Sequence, residues 1–397
     1  MNKTMKDIDV LLLARPDHSY AIYQALSNQS KLKFLYGTFG LFDKKLSFLK
    51  YKKARYVDGN ARIFKWFTVL HTLCYKLGWI KGFDEAKLFT KYSRNILKKY
   101  QPKIIHYWPN FCYEAIDEYK LSYPGVTTIA EVYMPNPIFA CRIMKDVYAK
   151  YGMEFNNKYL VKYAQVVSKR FAGADYIAVP SKFVEDTFKQ MLPNKKFVCT
   201  SYGFNMAEGY KRRITPQCVK NFVYVGQVSL EKGVDLLLKF FSKRPDLRID
   251  LFGNITSTQK HILLSPYEQC DNIIFHGAVS KAELREAFKK ADVGLHMSRY
   301  DAYSLAVAEE IGSGLPVIVS ENTGNAFDVE KYGVGLVAKI DDDSADFTNC
   351  MEQICNIETY SHLLENVHNA LSSTEKPLGY TDQLVNTYCN LLNNEGA

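Results

Sequence analysis

The sequence lacks several features that would place it in a specialised class of proteins. No apolar run is long enough to span a membrane, and the polar start, Met1-Asn-Lys-Thr-Met-Lys-Asp7, does not resemble a secretory signal. The nine cysteines form no Cys-x-x-Cys pair, so neither a metal-binding motif nor a disulfide framework is indicated. Repeats of solenoid period and low-complexity tracts are also missing. We therefore expect a cytoplasmic protein with reduced thiols.

Length and charge both indicate two domains. The chain has 397 residues, of which 47% are hydrophobic and 23% charged, as is usual for globular proteins. Residues 1–200 hold 33 Lys+Arg and 16 Asp+Glu, a net charge of +17, whereas the whole chain carries +9, so the rest is acidic. This asymmetry favours two domains with different partners. The basic half is suited to nucleic acid, an anionic membrane or a phosphorylated acceptor.

Residues 44–81 are the most basic and aromatic part of the chain. They hold ten Lys+Arg against a single acid, Asp58, and mix Trp, Phe and Leu with spaced lysines. This composition predicts an interfacial helix on an anionic membrane surface. A core helix with a solvated basic face explains it equally well. Nothing resembles a known nucleic-acid module, so we expect no nucleic acid partner.

The first half alternates predicted strands with helices. Buried strands are predicted at Asp9–Ala14, Lys103–Trp108 and Val126–Val132, and a long helix from Phe139 to Phe171. Ligands of open parallel sheets bind at the carboxyl ends of strands.

Three polar residues follow or end these strands. We therefore take His18, Ser19 and His106 as acceptor-side candidates, and His106 as a candidate catalytic residue. An ordinary loop histidine is the competing interpretation of His18.

The second half restarts the alternation after a polar, basic linker, Met206–Lys220. Strands are predicted at 221–226, 248–253, 272–277 and 292–297. Strand–helix alternation in both halves predicts an α/β protein with two Rossmann-like, doubly wound domains facing a cleft. We place the first domain at 1–205, the second at 206–380, and a C-terminal helix that packs back on the first domain at 381–397.

The stretch Met297–Val319 organises the second half. It reads as a polar loop, a helix from Ser304 to Gly312, and a buried strand. The free N–H groups of a helix start can hold an anion, and the acids Asp301 and Glu309 can accept hydrogen bonds from sugar hydroxyls. This layout suits a nucleotide-sugar site. An ordinary helix–strand unit with two solvated acids is the alternative.

Residues 221–340 resemble the donor domain of family-4 retaining glycosyltransferases, which have the GT-B architecture of two Rossmann-like domains. The resemblance rests on several blocks with fitting spacing: Val225-Gly226, Glu231-Lys-Gly-Val-Asp235, Phe275-His-Gly277, Ala291-Asp-Val293 and the span from Ser298 to Ile318. It implies sugar transfer from a nucleotide-diphosphate sugar with retention at the anomeric carbon. It implies no metal and no cofactor besides the donor substrate.

Roles follow from the resemblance by position. Lys232 corresponds to the lysine that binds the donor diphosphate, Glu309 to the acid that holds the ribose, and Asp301 to the acid near the transferred sugar. The resemblance makes Lys232 and Asp301 candidate catalytic residues. The remaining donor-binding candidates are Gly226, Gln227, Ala302, Tyr303, Ser304 and Leu305.

The resemblance also favours a biological context. The implied acceptor is a glycan or a lipid-diphosphate-linked glycan, in bacterial surface-polysaccharide synthesis. The basic first half then suggests peripheral attachment to the cytoplasmic face of the membrane.

Two departures from the family pattern keep other functions open. Gln227 stands where the family usually has Arg, with Lys211, Arg212 or Arg213 as replacement cations, and Asp301 is one methylene shorter than Glu. A catalytically degenerate relative that binds nucleotide or glycan and scaffolds a partner enzyme is therefore an alternative. A nicotinamide-dependent enzyme is a third, but neither first strand–helix turn carries Gly-x-Gly-x-x-Gly. Asp341–Asp343 reads as a surface turn.

Overall fold

The structure is a computed structural model that describes residues 6–28, 32–38, 42–43, 56–57, 59–64, 85–340, 344–373 and 379–394. Most of the basic, aromatic segment 44–81 and all of 341–343 lie outside these residues, so the membrane-surface hypothesis stays a prediction. Within the described ranges, no helix is both long and apolar enough to cross a membrane.

Two parallel β-sheets organise the chain. The strands, labelled β1 to β15 in chain order, are Lys6–Leu13, Phe34–Thr38, Phe42–Asp43, Tyr56–Val57, Ala61–Ile63, Tyr100–Tyr107, Thr127–Glu131, Tyr176–Val179, Lys196–Cys199, Asn221–Val225, Arg248–Phe252, Ile273–Gly277, Val293–His296, Val317–Ser320 and Gly335–Ala338. The first sheet has the order β5-β2-β1-β6-β7-β8-β9 and the second β12-β11-β10-β13-β14-β15, while β3 pairs with β4. The predicted α/β fold with two Rossmann-like sheets is confirmed.

Helices fill the connections between strands. Labelled α1 to α14, they are Pro16–Asn28, Glu85–Leu97, Pro109–Ser122, Pro137–Lys150, Lys158–Phe171, Lys182–Lys189, Val234–Phe241, Ser257–Leu263, Lys281–Lys290, Leu305–Gly312, Ala326–Tyr332, Ala345–Cys355, Ile357–Ser372 and Tyr380–Asn394. The single long helix predicted from Phe139 to Phe171 is wrong. The chain turns at Gly152, which has φ 64°. A separate helix, α5, begins after Asn157, whose side chain caps the start of α5.

The last helix packs on the first sheet. Tyr380, Leu384, Val385 and Tyr388 of α14 lie in one hydrophobic cluster with the buried side chains of β1 and α1. Residues 206–220 contain neither helix nor strand. The domain boundaries at 205 and 380 stay predictions, because the packing shows which sheet each element joins but not where an independent unit ends.

The two sheets are also held together through the helix α4. Its residues Ala140, Met144 and Val147 belong to the hydrophobic cluster that lies under the second sheet. Beyond its end, the Tyr151 hydroxyl donates to Asp235 of α7 at 2.8 Å. These contacts fix how the first half of the chain sits beside the second.

Parallel pairing brings the carboxyl ends of neighbouring strands to one edge. In the first sheet Leu13 pairs with Tyr107, so β1 and β6 end together. In the second sheet Val223 pairs with Gly294, which puts the ends of β10 and β13 side by side. The loops that follow β10 and β13 therefore meet, and they carry the residues of the predicted donor site.

Candidate active site

The start of α10 provides free backbone donors at this edge. Ser304 is the N-cap, and its hydroxyl accepts from the N–H of Val307 at 3.4 Å. The N–H groups of Leu305 and Ala306 have no hydrogen-bond partner among the described residues. The N–H of Ser304 itself donates to the Asn325 side chain at 2.7 Å, so the expectation that it serves the donor does not match this arrangement. The helix start can still bind an anion through its first two amides.

Lys232 and Asp301 form an ion pair beside this helix start. The distance from Nζ to Oδ2 is 2.6 Å, and their side chains are 24% and 15% exposed. Gly233 makes the approach possible: its φ is 65°, and a Cβ there would collide with the carbonyl oxygen of Met297. The turn before α7 is thus pressed against the end of β13, and Lys232 reaches the loop that carries Asp301.

These groups share one pocket of about 230 Å³. It is lined by Tyr224, Val225, Gly226, Lys232, His296, Asp301, Tyr303, Ser304, Leu305 and Ala306. Leu305 also lines an adjoining pocket of about 440 Å³ that contains Glu309 and residues 202–205. The structure therefore places most of the predicted donor residues in two neighbouring cavities.

The loop between Asp301 and α10 is held from both halves of the chain. The Tyr303 hydroxyl donates to Asp328 at 2.9 Å, and the Ser201 hydroxyl donates to the same carboxylate at 2.6 Å. The ring of Tyr202 lies 5.4 Å from that of Tyr303. Burial raises the pKa of the Tyr303 phenol, so this residue anchors the loop as a neutral hydrogen-bond donor.

The side chain of Gln227 is exposed, and Gln227 is not among the residues that line the pocket. The backbone carbonyl oxygen of Gln227 accepts from the Tyr224 hydroxyl at 2.6 Å. Two of the expected replacement cations are engaged elsewhere. Arg212 pairs with Glu365 at 2.5 Å, and Arg213 donates to the carbonyl oxygen of Phe288 at 2.8 Å. The expectation that they replace the missing Arg does not match this geometry.

The acceptor-side candidates of the first sheet lie in a different environment. His106 is fully buried, its Nε2 lies 2.9 Å from Glu131 and its Nδ1 lies 2.5 Å from the Tyr388 hydroxyl. Ser19 is also fully buried, and its hydroxyl lies 2.6 Å from that of Tyr36. Neither side chain is open to an acceptor here, so the geometry gives both a structural role in place of the predicted one.

His18 lies in the first turn of α1 rather than in a loop, and its side chain is not among those that the structure describes.

Two residues that line or support the pocket were missed from the sequence. His296 ends β13 and lies in the pocket wall, and Glu310 lies beneath it, fully buried. A pattern does point to Glu310: it follows Val307 by three positions and precedes Ile311, so it belongs to the apolar face of α10. An acid on that face needs a buried partner.

Comparison with known sequences gives a family match in the second half of the chain. Residues 214–369 match the sequence model of the family Glycosyl transferases group 1. The mannosylfructose-phosphate synthase of Agrobacterium fabrum is 27% identical over 122 residues, 28% of this chain and 27% of that protein. The sulfoquinovosyl transferase SQD2 of Arabidopsis thaliana is 28% identical over 109 residues, 26% of this chain and 19% of that protein. The chain thus spans well under two thirds of the length of these curated relatives.

Comparison with solved structures covers the whole chain. A sucrose-phosphate synthase from Thermosynechococcus elongatus superposes with a TM-score of 0.64 over 98% of this chain and 99% of that one, at 15% identity. At 15% sequence identity, this structural similarity shows a shared fold and nothing about activity. Residues 214–369 therefore carry a glycosyl transferases group 1 domain, in a chain whose two parallel sheets have the fold of the GT-B glycosyltransferases.

Proposed function

We propose that the protein is a retaining, metal-independent glycosyltransferase that moves a sugar from a nucleotide-diphosphate sugar to a glycan or lipid-linked glycan. One observation carries the proposal: Lys232, Asp301, Leu305 and Ala306 line a single pocket, and the N–H groups of the last two have no hydrogen-bond partner among the described residues. A cation and a helix start suit a diphosphate, while a carboxylate suits sugar hydroxyls. The match of residues 214–369 to the glycosyl transferases group 1 family supports the same reading.

The pocket suggests how the residues divide the chemistry. The bond between the anomeric carbon and the β-phosphate oxygen breaks, and the acceptor oxygen bonds to that carbon on the same face. Lys232 and the start of α10 stabilise the charge that grows on the departing diphosphate, which takes the acceptor's proton. These groups supply the positive charge, so the proposal assigns no metal and no cofactor.

The adjoining pocket fits the nucleoside end of the donor. Glu309 is exposed on α10 and lines that pocket, so its carboxylate can accept from the ribose hydroxyls. Gly226 borders the first pocket with φ 154°, and a Cβ there would lie 2.8 Å from the Tyr224 hydroxyl. We therefore assign the diphosphate to the Lys232 side and the ribose to the Glu309 side.

A thermal-shift screen against UDP, GDP, ADP, CMP and NAD tests the donor class. One nucleoside diphosphate should raise the melting temperature, because ligand binding to the folded state stabilises it by mass action. Glu309→Ala should abolish that shift. A shift with NAD alone would contradict the proposal, and nucleotide binding without sugar transfer to any glycan acceptor would favour a degenerate scaffold.

We propose further that the acceptor is presented at the cytoplasmic face of a bacterial membrane, during surface-polysaccharide synthesis. The net charge of +17 on residues 1–200 supports this, since anionic lipids attract basic surfaces. Sedimentation with vesicles checks it: anionic vesicles should bind more protein than neutral ones at low salt. Equal sedimentation with both would count against it.

A further inference from the structure

A buried histidine–glutamate pair lies in the wall of the candidate donor pocket. Nε2 of His296 lies 3.0 Å and 2.9 Å from the two carboxylate oxygens of Glu310. His296 is 2% exposed and Glu310 is not exposed at all. No other hydrogen bond to the Glu310 side chain is found among the described residues, so the imidazole alone compensates a carboxylate that is cut off from water.

The second nitrogen of His296 is placed differently. Nδ1 has no hydrogen-bond partner among the described residues, and His296 lines the same pocket as Lys232. The ring of Tyr224 lies against the imidazole with centroids 5.5 Å apart and fixes its plane. One nitrogen is therefore tied to the protein interior while the other remains available to the pocket.

Charge decides what that nitrogen can do. Burial raises the pKa of Glu310, and the contact with His296 opposes that rise. Because Nε2 is bonded to the carboxylate, Nδ1 is the nitrogen left to bond a ligand, and it donates when the imidazole carries a proton on both nitrogens. The other cation that lines the pocket is Lys232, which is paired with Asp301, and a bound diphosphate carries more negative charge than this one lysine offsets.

We propose that His296 is a second diphosphate-binding residue, which donates from Nδ1 to the donor's phosphate oxygens, and that Glu310 is the positioning residue that orients the imidazole through Nε2. This rests on the proposed function, because it specifies how that donor is held. It assigns His296 the cationic contact that Gln227, with its exposed side chain, does not provide.

Calorimetry on the full chain tests the proposal. UDP, GDP and ADP, each paired with its monophosphate, are titrated at about pH 6 and about pH 8, on either side of the range in which histidine ordinarily titrates. His296→Asn should weaken diphosphate binding about tenfold at the lower pH, as expected for one charge-assisted hydrogen bond. Monophosphate binding should change less than about twofold, because the β-phosphate contact is missing there.

The pH dependence separates binding from a structural effect. Wild-type protein should bind the diphosphate more tightly at the lower pH, and His296→Asn should lose that preference; since the phosphate's own titration is common to both, the difference reports the imidazole. Glu310→Gln should reduce this preference without abolishing it, because the imidazole remains but is less firmly oriented. The control His261→Asn, an exposed histidine on α8, should behave as wild type.

Each outcome has a distinct meaning. Wild-type protein that binds none of the three diphosphates would overturn the proposed function and this inference with it. Wild-type binding that His296→Asn leaves unchanged would overturn the inference alone. If His296→Asn fails to fold, a ¹⁵N spectrum of the wild-type histidines decides: Nδ1 of His296 should shift toward the imidazolium value when the diphosphate is added, and an unmoved signal would reject the proposal.

Discussion

Each sheet has a histidine at the carboxyl end of a strand, bonded to a buried glutamate. The two pairs differ in whether the second ring nitrogen of the histidine also has a hydrogen-bond partner. His106 of β6 is bonded to Glu131, and Tyr388 of α14 takes its other nitrogen. His296 of β13 is bonded to Glu310, and it lines the candidate donor pocket. Its other nitrogen has no hydrogen-bond partner among the described residues. The strands are equivalent in position, since β6 neighbours β1 and β13 neighbours β10.

The difference teaches that a strand end alone does not make a site. The edge of the first sheet at His106 is covered by α14 and by the ring of Trp108, which stacks on the imidazole with centroids 5.1 Å apart. His296 has the ring of Tyr224 beside it, but it also lines a pocket at the start of α10. The first pair should therefore govern stability, and the second should govern ligand binding.

The largest effect is expected at Lys232. Lys232→Met should lower kcat/KM about a thousandfold, since it removes a charge aimed at the leaving diphosphate. The control Lys103→Met breaks the exposed pair with Asp9 at 3.0 Å on the first sheet and should stay within about twofold of wild type. Steady-state kinetics measures both, and similar losses in the two variants would break the comparison between the sheets.

Glu131→Leu should come next, with a loss of about 2–3 kcal/mol in the free energy of unfolding. In the wild-type protein, Glu131 is bonded to Nε2 of His106 and accepts from the Tyr380 hydroxyl at 2.7 Å. The substitution leaves both of these polar groups buried without a partner. Urea denaturation gives the value, with Glu118→Leu in an exposed pair as the control. Nucleoside diphosphate affinity should change less than about twofold; a larger loss would assign the first pair a role in binding.

Tyr388→Phe should destabilise the protein by about 1–2 kcal/mol, because it removes one buried hydrogen bond of 2.5 Å and leaves Nδ1 of His106 unpaired. The control Tyr176→Phe keeps its ring against Lys196 at 5.4 Å and should cost less than about 0.5 kcal/mol. Thermal melts compare the two variants. Equal melting temperatures would mean that α14 is held by apolar packing alone.

A third histidine–carboxylate pair, at the solvent, should show the smallest effect. Burial raises the pKa of Asp250, but hydrogen bonds from Arg248 and His276 outweigh it and hold the pKa below its ordinary value. Asp250→Asn should cost less than about 1 kcal/mol at neutral pH.

The pH dependence of that small loss has a fixed sign. A depressed carboxyl pKa stabilises the fold above the unfolded value and ceases to do so as the pH falls through the folded one. The gap in melting temperature between wild type and Asp250→Asn should therefore close below about pH 4. A gap that widens on acidification would contradict the assignment.

Local patterns in the sequence predicted much of this structure. The helix start predicted at Ser304 is present and is capped by the Ser304 side chain, since a side chain that binds its own helix start needs no distant partner. The strand ends were predicted from local patterns as well. The helix break at Gly152 was missed, although the glycine and the Asn157 cap were both visible in the sequence.

Contacts between residues far apart in the chain could not be predicted from the sequence. The hydroxyl that bonds Nδ1 of His106 comes from a residue 282 positions away, so no local pattern distinguishes a histidine with two partners from one with a free nitrogen. Glu309 and Glu310 are alike in residue type, and the spacing of Glu310 from Val307 indicates only that it belongs to the apolar face of α10. The packing of α10 on β13 adds that Glu310 is fully buried and that its partner there is His296.

The placement of α14 has a consequence for how the protein is made. The hydrophobic cluster around β1 and α1 is completed by Tyr380, Leu384 and Tyr388, which the ribosome adds after all of the second sheet. The apolar side chains of this cluster on β1 and α1 therefore stay partly uncovered until residues 380–388 have left the ribosome. During synthesis, we expect the first sheet to need protection by a chaperone until these residues are made.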